Sequence, residues 1–186
     1  MTEATDDELM VQVRDGDVAP LGALFERHQV PLYNFFLRLT GRAAISEDLV
    51  QEVFLRVLKY RHTYRGQGQF RTWLYQIARN ARADHYRKRW RETELADDKA
   101  AELPSLGPLA SDLVESAQSA ALLRAALAKL PDDKREVLVL SRYHEMRYEE
   151  IGRVLGCTEG TVKVRVHRAI KELRDIYQQM VRERRV

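Results

Sequence analysis

Three clusters of side chains in the sequence have types and spacings suited to chemistry, and in each the chemistry is recognition. Asp48, Gln51, Glu52, Leu55 and Lys59 recur at helical spacing, i, i+3, i+4, i+7 and one turn on, so they share one stripe of a helix. A leucine rimmed by charged and amide groups suits a protein-binding surface, an apolar contact set in a polar rim. Periodicity alone fits a second reading equally well, in which Leu55 is a further core contact of a helical bundle.

The second cluster is aromatic and basic. Between Arg61 and Arg91 nine Lys or Arg residues stand against one acid, Asp84, with Trp73, Tyr75 and Tyr86 among them. Rings that stack on bases, beside cations that follow phosphates, are what single-stranded nucleic acid requires. A helix packed through Phe70, Trp73, Leu74, Ile77 and Ala81 would show Tyr75, Arg79, Arg82 and Tyr86 on its far side. The alternative is a basic surface helix with incidental tyrosines.

The third cluster lies between Tyr148 and Leu173 and reads as a helix-turn-helix. Ile151, Val154 and Leu155 give a first helix one apolar face, Gly156 supplies a sharp stop, and Thr158 can cap the next helix. In that second helix Val162, Val166, Ala169, Ile170 and Leu173 gather on one side. Gly160, Val164, His167, Arg168 and Lys171 lie opposite, flanked by Lys163 and Arg165. A helix packed by one face and offering cations on the other suits the DNA major groove. The bland alternative is a solvated helix with ordinary surface charges. Cys157 sits in the turn as a small filler.

These clusters need helices to hold them, and apolar residues recur at helical spacing almost throughout. The spacing predicts helices over Asp6–Asp15, from after Val18 to Gly41, from Ser46 as N-cap to Tyr60, and from Phe70 to about Trp90. Pro31 should kink or tighten the second, and Gly41 is a good left-handed stop for it. A second block predicts helices over Ser116–Leu130, Asp132 to about Tyr143, Tyr148–Leu155, and Thr158 to about Met180. From Glu92 to Glu115 seven acids stand against Lys99 alone, with Pro104, Gly107 and Pro108. Such a stretch is a linker, since its charge disfavours burial. The expected architecture is all-α: two small helical domains, 8–91 and 116–180, joined by a flexible acidic linker, 92–115.

Composition removes several classes. Hydrophobic residues make up 45% and charged residues 32% of the chain, with only 9 glycines and 5 prolines for tight turns. The net charge of +3 says little, because basic and acidic residues are segregated along the chain. One cysteine allows no disulfide framework and no multi-cysteine zinc site, and the five histidines include no pair at metal-ligand spacing on one helix. No carboxylate cluster or activated nucleophile stands out, so no enzyme, metal or cofactor is expected. The acidic start, Met1 to Glu8, does not resemble a signal peptide, and no run approaches the roughly 18 apolar residues of a membrane span. A cytoplasmic protein is expected.

Four segments, in order, carry a resemblance. Asp48-Leu-Val-Gln-Glu-Val-Phe-Leu, Phe70-Arg-Thr-Trp-Leu-Tyr-Gln-Ile-Ala-Arg-Asn, Leu130-Pro-Asp-Asp-Lys-Arg-Glu-Val-Leu and the Tyr148-Glu-Glu-Ile to Gly160-Thr-Val-Lys-Val-Arg stretch together resemble extracytoplasmic-function (ECF) sigma factors. The resemblance implies sigma region 2 over 8–91 and a region 4 helix-turn-helix over 116–180. It implies that Asp48, Gln51 and Glu52, with Leu55 beside them, meet the clamp coiled coil of the polymerase largest subunit. The implied −10 element face comprises Tyr64, Arg65, Arg71, Trp73, Tyr75, Arg79, Asn80 and Arg82. The implied −35 face comprises Thr161, Lys163, Val164, Arg165, His167, Arg168 and Lys171. Val164 and His167 occupy positions that vary in the family, so the bases read there do not transfer. The linker resembles the family's tether toward the polymerase active centre, where its acidity would mimic a nucleic-acid strand. An anti-sigma factor is implied as a further partner. Two rival classes are weighed. Against an operator-binding regulator with no tie to polymerase count the Asp48–Lys59 stripe and the aromatic, basic cluster. For an enzyme such as a nuclease, no carboxylate cluster or activated nucleophile stands out.

Overall fold

The computed structural model describes residues 4–66, 69–93 and 114–184. The chain divides into two compact units, residues 1–101 and 102–186. Among the described residues every regular element is helical, so the fold is all-α. The expected linker falls mostly outside the described residues; residues 92–93 and 114–115 belong to the helices on either side.

The first unit contains α1 (Asp6–Arg14), α2 (Leu21–Thr40), α3 (Ala43–Tyr60), a 3-10 turn (Arg61–Thr63) and α4 (Phe70–Thr93). α1 starts at a capping box: the Thr5 hydroxyl accepts from the Glu8 N–H while the Glu8 carboxylate accepts from the Thr5 N–H. α2 continues through Pro31 and stops at Gly41, whose φ of +69° puts it in the left-handed region. α3 packs on both α2 and α4, and α1 on α2 and α4. Their shared core holds Met10, Leu24, Phe35, Phe36, Leu49, Val53 and Leu74.

α3 starts a turn earlier than its expected cap. Ser46 is fully buried inside the helix, where its hydroxyl donates to the Arg42 carbonyl at 2.7 Å and shares a 3.1 Å hydrogen bond with Thr40. The Thr40 hydroxyl accepts from the Arg42 N–H at 3.1 Å and closes the turn from the preceding helix. Ala43 and Ala44 then extend the helix backward, in keeping with alanine's propensity.

The second unit contains α5 (Val114–Lys129), α6 (Asp132–Leu138), a π-helical turn (Val139–Tyr143), α7 (Tyr148–Leu155) and α8 (Glu159–Glu183). The expected single helix from Asp132 to Tyr143 thus loosens in its second half, where the His144 N–H reaches back five residues to the Val139 carbonyl at 3.1 Å. Arg135 donates to the carbonyls of Leu127, Ala128 and Leu130 at 3.0, 2.6 and 2.8 Å, satisfying the end of α5. α8 packs on α5, α6 and α7 over a core that includes Leu130, Leu140, Ile151, Val162 and Val166.

Candidate protein and nucleic-acid interfaces

The stripe on α3 is outside the core. Leu49, Val50, Val53, Phe54 and Val57 are buried, while Ile45 is only half-buried. Leu55 is 64% exposed, beside exposed Asp48, Gln51 and Lys59 and half-exposed Glu52. Burial therefore removes the reading of Leu55 as a second core contact. Arg56 stands behind the stripe. It donates to Glu52 at 2.6 Å and to Asp84 at 2.8 Å, tying α3 to α4. The single acid of the basic segment is thus structural. A groove of about 360 Å³ opens beside this pair, lined by Arg56, Tyr60, Ile77, Asn80, Asp84 and Arg87.

α4 divides the expected −10 residues. Arg65 and Asn80 are exposed, and Arg71, Trp73 and Arg79 are half-exposed. Tyr75, expected on the far side, is 2% exposed. Its ring meets Phe35 edge-on with centroids 5.2 Å apart, and burial raises its phenol pKa. Arg82 is 9% exposed, and Tyr64 only 3%. The Tyr64 hydroxyl donates to the Asp7 carboxylate of α1; burial first, then that carboxylate, raises its pKa. Trp73, expected in the packing set, lies against Tyr64 with ring centroids 5.2 Å apart and keeps part of its surface. Tyr64, Tyr75 and Arg82 are therefore parts of the packed unit and offer no free face to a base. The exposed aromatics of α4 are Tyr86 and Trp90, on its C-terminal half.

The helix-turn-helix forms as its sequence implies. Gly156 has φ +68°, and the Thr158 hydroxyl accepts from the Thr161 N–H at 3.2 Å to start α8. Lys163, Val164, Arg165, His167, Arg168 and Lys171 are all exposed. Thr161 is half-buried, its hydroxyl 2.9 Å from that of Thr158, so it serves the cap. Ile170, expected in the core, is exposed, and Leu173 is half-buried. They line an apolar groove of about 420 Å³ between α5 and α8, with Leu123 and Tyr177.

Two residues of consequence escaped the sequence reading. Gly152 is one: a Cβ there would lie 2.6 Å from the Cys157 carbonyl oxygen, so only glycine lets α7 meet the turn after it. A glycine inside a helical pattern was the available signal. Asp7 is the other, and nothing local marks it, since its partners lie 57 to 63 residues away. Among the described residues no group of His, Cys, Asp and Glu is placed to hold a metal ion, and no helix is long and apolar enough to cross a membrane.

The comparisons agree with this division. Residues 24–92 match the family described as Sigma-70 region 2, and residues 120–173 match Sigma-70, region 4. The chain is 38% identical to the ECF RNA polymerase sigma factor EcfG of Rhodopseudomonas palustris over 75% of each protein. It is 35% identical to the ECF RNA polymerase sigma factor SigE of Mycolicibacterium smegmatis over 82% of this chain, a match spanning 59% of that protein. In structure it resembles the sigma factor RpoE of Bartonella quintana, crystallised with the anti-sigma factor NepR. The TM-score is 0.70 and the identity 26%, covering 84% of this chain and 96% of the other. An exposed stripe on one unit, a helix-turn-helix on the other, and both sigma-70 regions in order lead to one conclusion: the chain belongs to the ECF RNA polymerase sigma factors, proteins of promoter-specific transcription initiation.

Proposed function

We propose that this chain binds core RNA polymerase, carries it to particular promoters and helps open the DNA there, with no catalysis of its own. The observation that carries the reading is the exposed Leu55 among Asp48, Gln51 and Glu52, a protein-binding face on the unit that does not hold the helix-turn-helix. An operator-binding regulator has no need of it. In this reading 8–91 serves as region 2, 116–180 as region 4, and 92–115 as an acidic tether.

The division of labour follows from which side chains reach the surface. Lys163, Val164, Arg165, His167, Arg168 and Lys171 on α8 suit the major groove of a −35 duplex. Arg65, Arg71, Trp73, Arg79 and Asn80 suit an extruded −10 strand, with binding of that strand supplying the free energy of opening. The Bartonella quintana relative was crystallised with an anti-sigma factor, and a partner of that kind is proposed here too. Action on promoters places the protein in the cytoplasm.

The test is co-elution with sigma-free core polymerase, followed by run-off transcription on a promoter library. A stable complex that initiates at selected promoters is expected. Duplex DNA binding without a polymerase complex would instead identify an operator-binding regulator.

A further inference from the structure

The acidic first turn of α1 reaches the segment that begins the strand-reading helix. One oxygen, Asp7 Oδ1, accepts three hydrogen bonds: from the Tyr64 hydroxyl, from the Gln69 N–H at 3.0 Å and from the Phe70 N–H at 3.3 Å. Phe70 is the first residue of α4, so Asp7 satisfies donors that the helix start would otherwise leave without an intrahelical partner. Its negative charge also lies at the favourable end of the α4 dipole. The same atom therefore ties Tyr64, on one side of the 64–69 connection, to the residues on the other.

α1 is itself aimed by separate contacts. Asp6 accepts from Arg27 at 2.8 Å and meets His28 Nε2 at 2.6 Å, docking α1 on α2. The His28 ring lies edge-on to Phe70, with centroids 5.2 Å apart. One turn along, a Cβ at Gly66 would sit 3.8 Å from the Val11 side chain, so Gly66 lies close against α1. The Gly66 φ of +78° is one glycine adopts at little cost.

From this geometry we infer that Asp7 is a positioning residue for reading the −10 strand: it fixes the spacing between Tyr64 and the first turn of α4, and so the placement of Arg65 and Arg71, without touching DNA. Tyr64 has the same role, as the buried arm of the clamp. The inference rests on the sigma reading above and adds to it a residue from the far N-terminal end of the unit.

The experiment uses the full-length chain with core polymerase and a promoter library randomised in the −10 element. Asp7→Ala is expected to flatten the −10 base preference and slow open-complex formation tenfold or more, with core affinity and −35 duplex affinity within twofold of the parent. Asp7→Asn should recover most of the preference, because all three bonds go to one oxygen that the amide retains. Tyr64→Phe should give a smaller loss, and combining it with Asp7→Ala should add little. A parent that selects a −10 sequence, with an Asp7→Ala variant that selects it equally well, overturns this inference alone. Loss of core, −35 and −10 binding in parallel, unrescued by Asn, also overturns it, by showing Asp7 to be a general stabiliser. A parent that selects no −10 sequence overturns the sigma reading, and the inference with it.

Discussion

α4 and α8 are both long, cation-rich helices, yet they bury very different fractions of their circumference. On α8 the buried residues Val162, Val166 and Ala169 span roughly 60° of arc at 3.6 residues per turn. On α4 the buried set runs from Ile77 through Phe70, Ala81, Leu74, Ala78, Arg82 and Tyr75 to Thr72, roughly 220° of arc. A helix covered along a narrow seam leaves its opposite face to solvent, so polar side chains there are free for a partner. A helix wedged among several others draws even tyrosine and arginine into the packing. Cation content is similar, seven Lys or Arg on α4 and six on α8, so charge alone does not separate them; the width of the seam decides which side chains face solvent and which are packed.

The largest effect that would break this contrast is at Tyr75. Tyr75→Ala should cost the first unit about 3–5 kcal/mol, as deletion of a buried aromatic does. Scanning calorimetry of the full chain should show the first unit melting earlier and the second unchanged. A side chain that only stacks on DNA would leave both transitions in place, and that outcome would sink the burial contrast.

In the second unit the sensitive point is the turn. Gly152→Ala forces a methyl group against the Cys157 carbonyl oxygen and should destabilise that unit by about 1–3 kcal/mol, the range of overpacked sites. Here the second melting transition should fall and the first stay in place, the converse of Tyr75→Ala. An unshifted second transition would mean that the turn can yield.

Arg168→Ala tests the exposed face of α8. With its side chain in solvent, the change should leave melting unaltered and weaken binding of a selected −35 duplex by ~1–3 kcal/mol if it removes a base contact. A titration of labelled duplex at fixed salt measures this. Equal affinities for variant and parent would remove Arg168 from the interface.

The smallest expected effect concerns acid and the docking of α1. Burial alone would raise the Asp6 pKa, but the hydrogen bonds and charges of Arg27 and His28 outweigh it, and the pKa falls below 3.8. A carboxyl depressed by folding contributes stability above its unfolded pKa and loses it as pH falls through the folded value. The stability gap between the parent and Asp6→Asn should therefore be full above about pH 4 and close below it. Thermal melts across that range would show it in the first transition, with the second as internal reference; a gap independent of pH would show that the carboxylate charge is not what docks α1.

How much was legible varied with the range of the interactions involved. α7, the Gly156 stop and the Thr158 cap of α8 were readable because each depends on residues within a turn or two of itself. The exposed cations of α8 followed from its narrow seam. Ser46 misled as a cap because Thr40, at the end of the preceding helix, had already closed that turn. Tyr75 misled because periodicity registers a ring's direction from its own helix axis and not what stands across from it; Tyr64, placed on the −10 face by the resemblance, is held instead by Asp7, 57 residues away.

By itself the sequence determined the helical periods, the stops between them, the segregation of basic from acidic stretches and the ordered motifs of the family, all properties of neighbouring residues. Only the tertiary structure decided which aromatic rings are core, that Leu55 is free, that Asp84 braces α3 through Arg56, and that Asp7 caps α4 from across the unit. The reason is physical: burial and long-range hydrogen bonds depend on what the fold places against a side chain, and those neighbours lie tens of residues away along the chain.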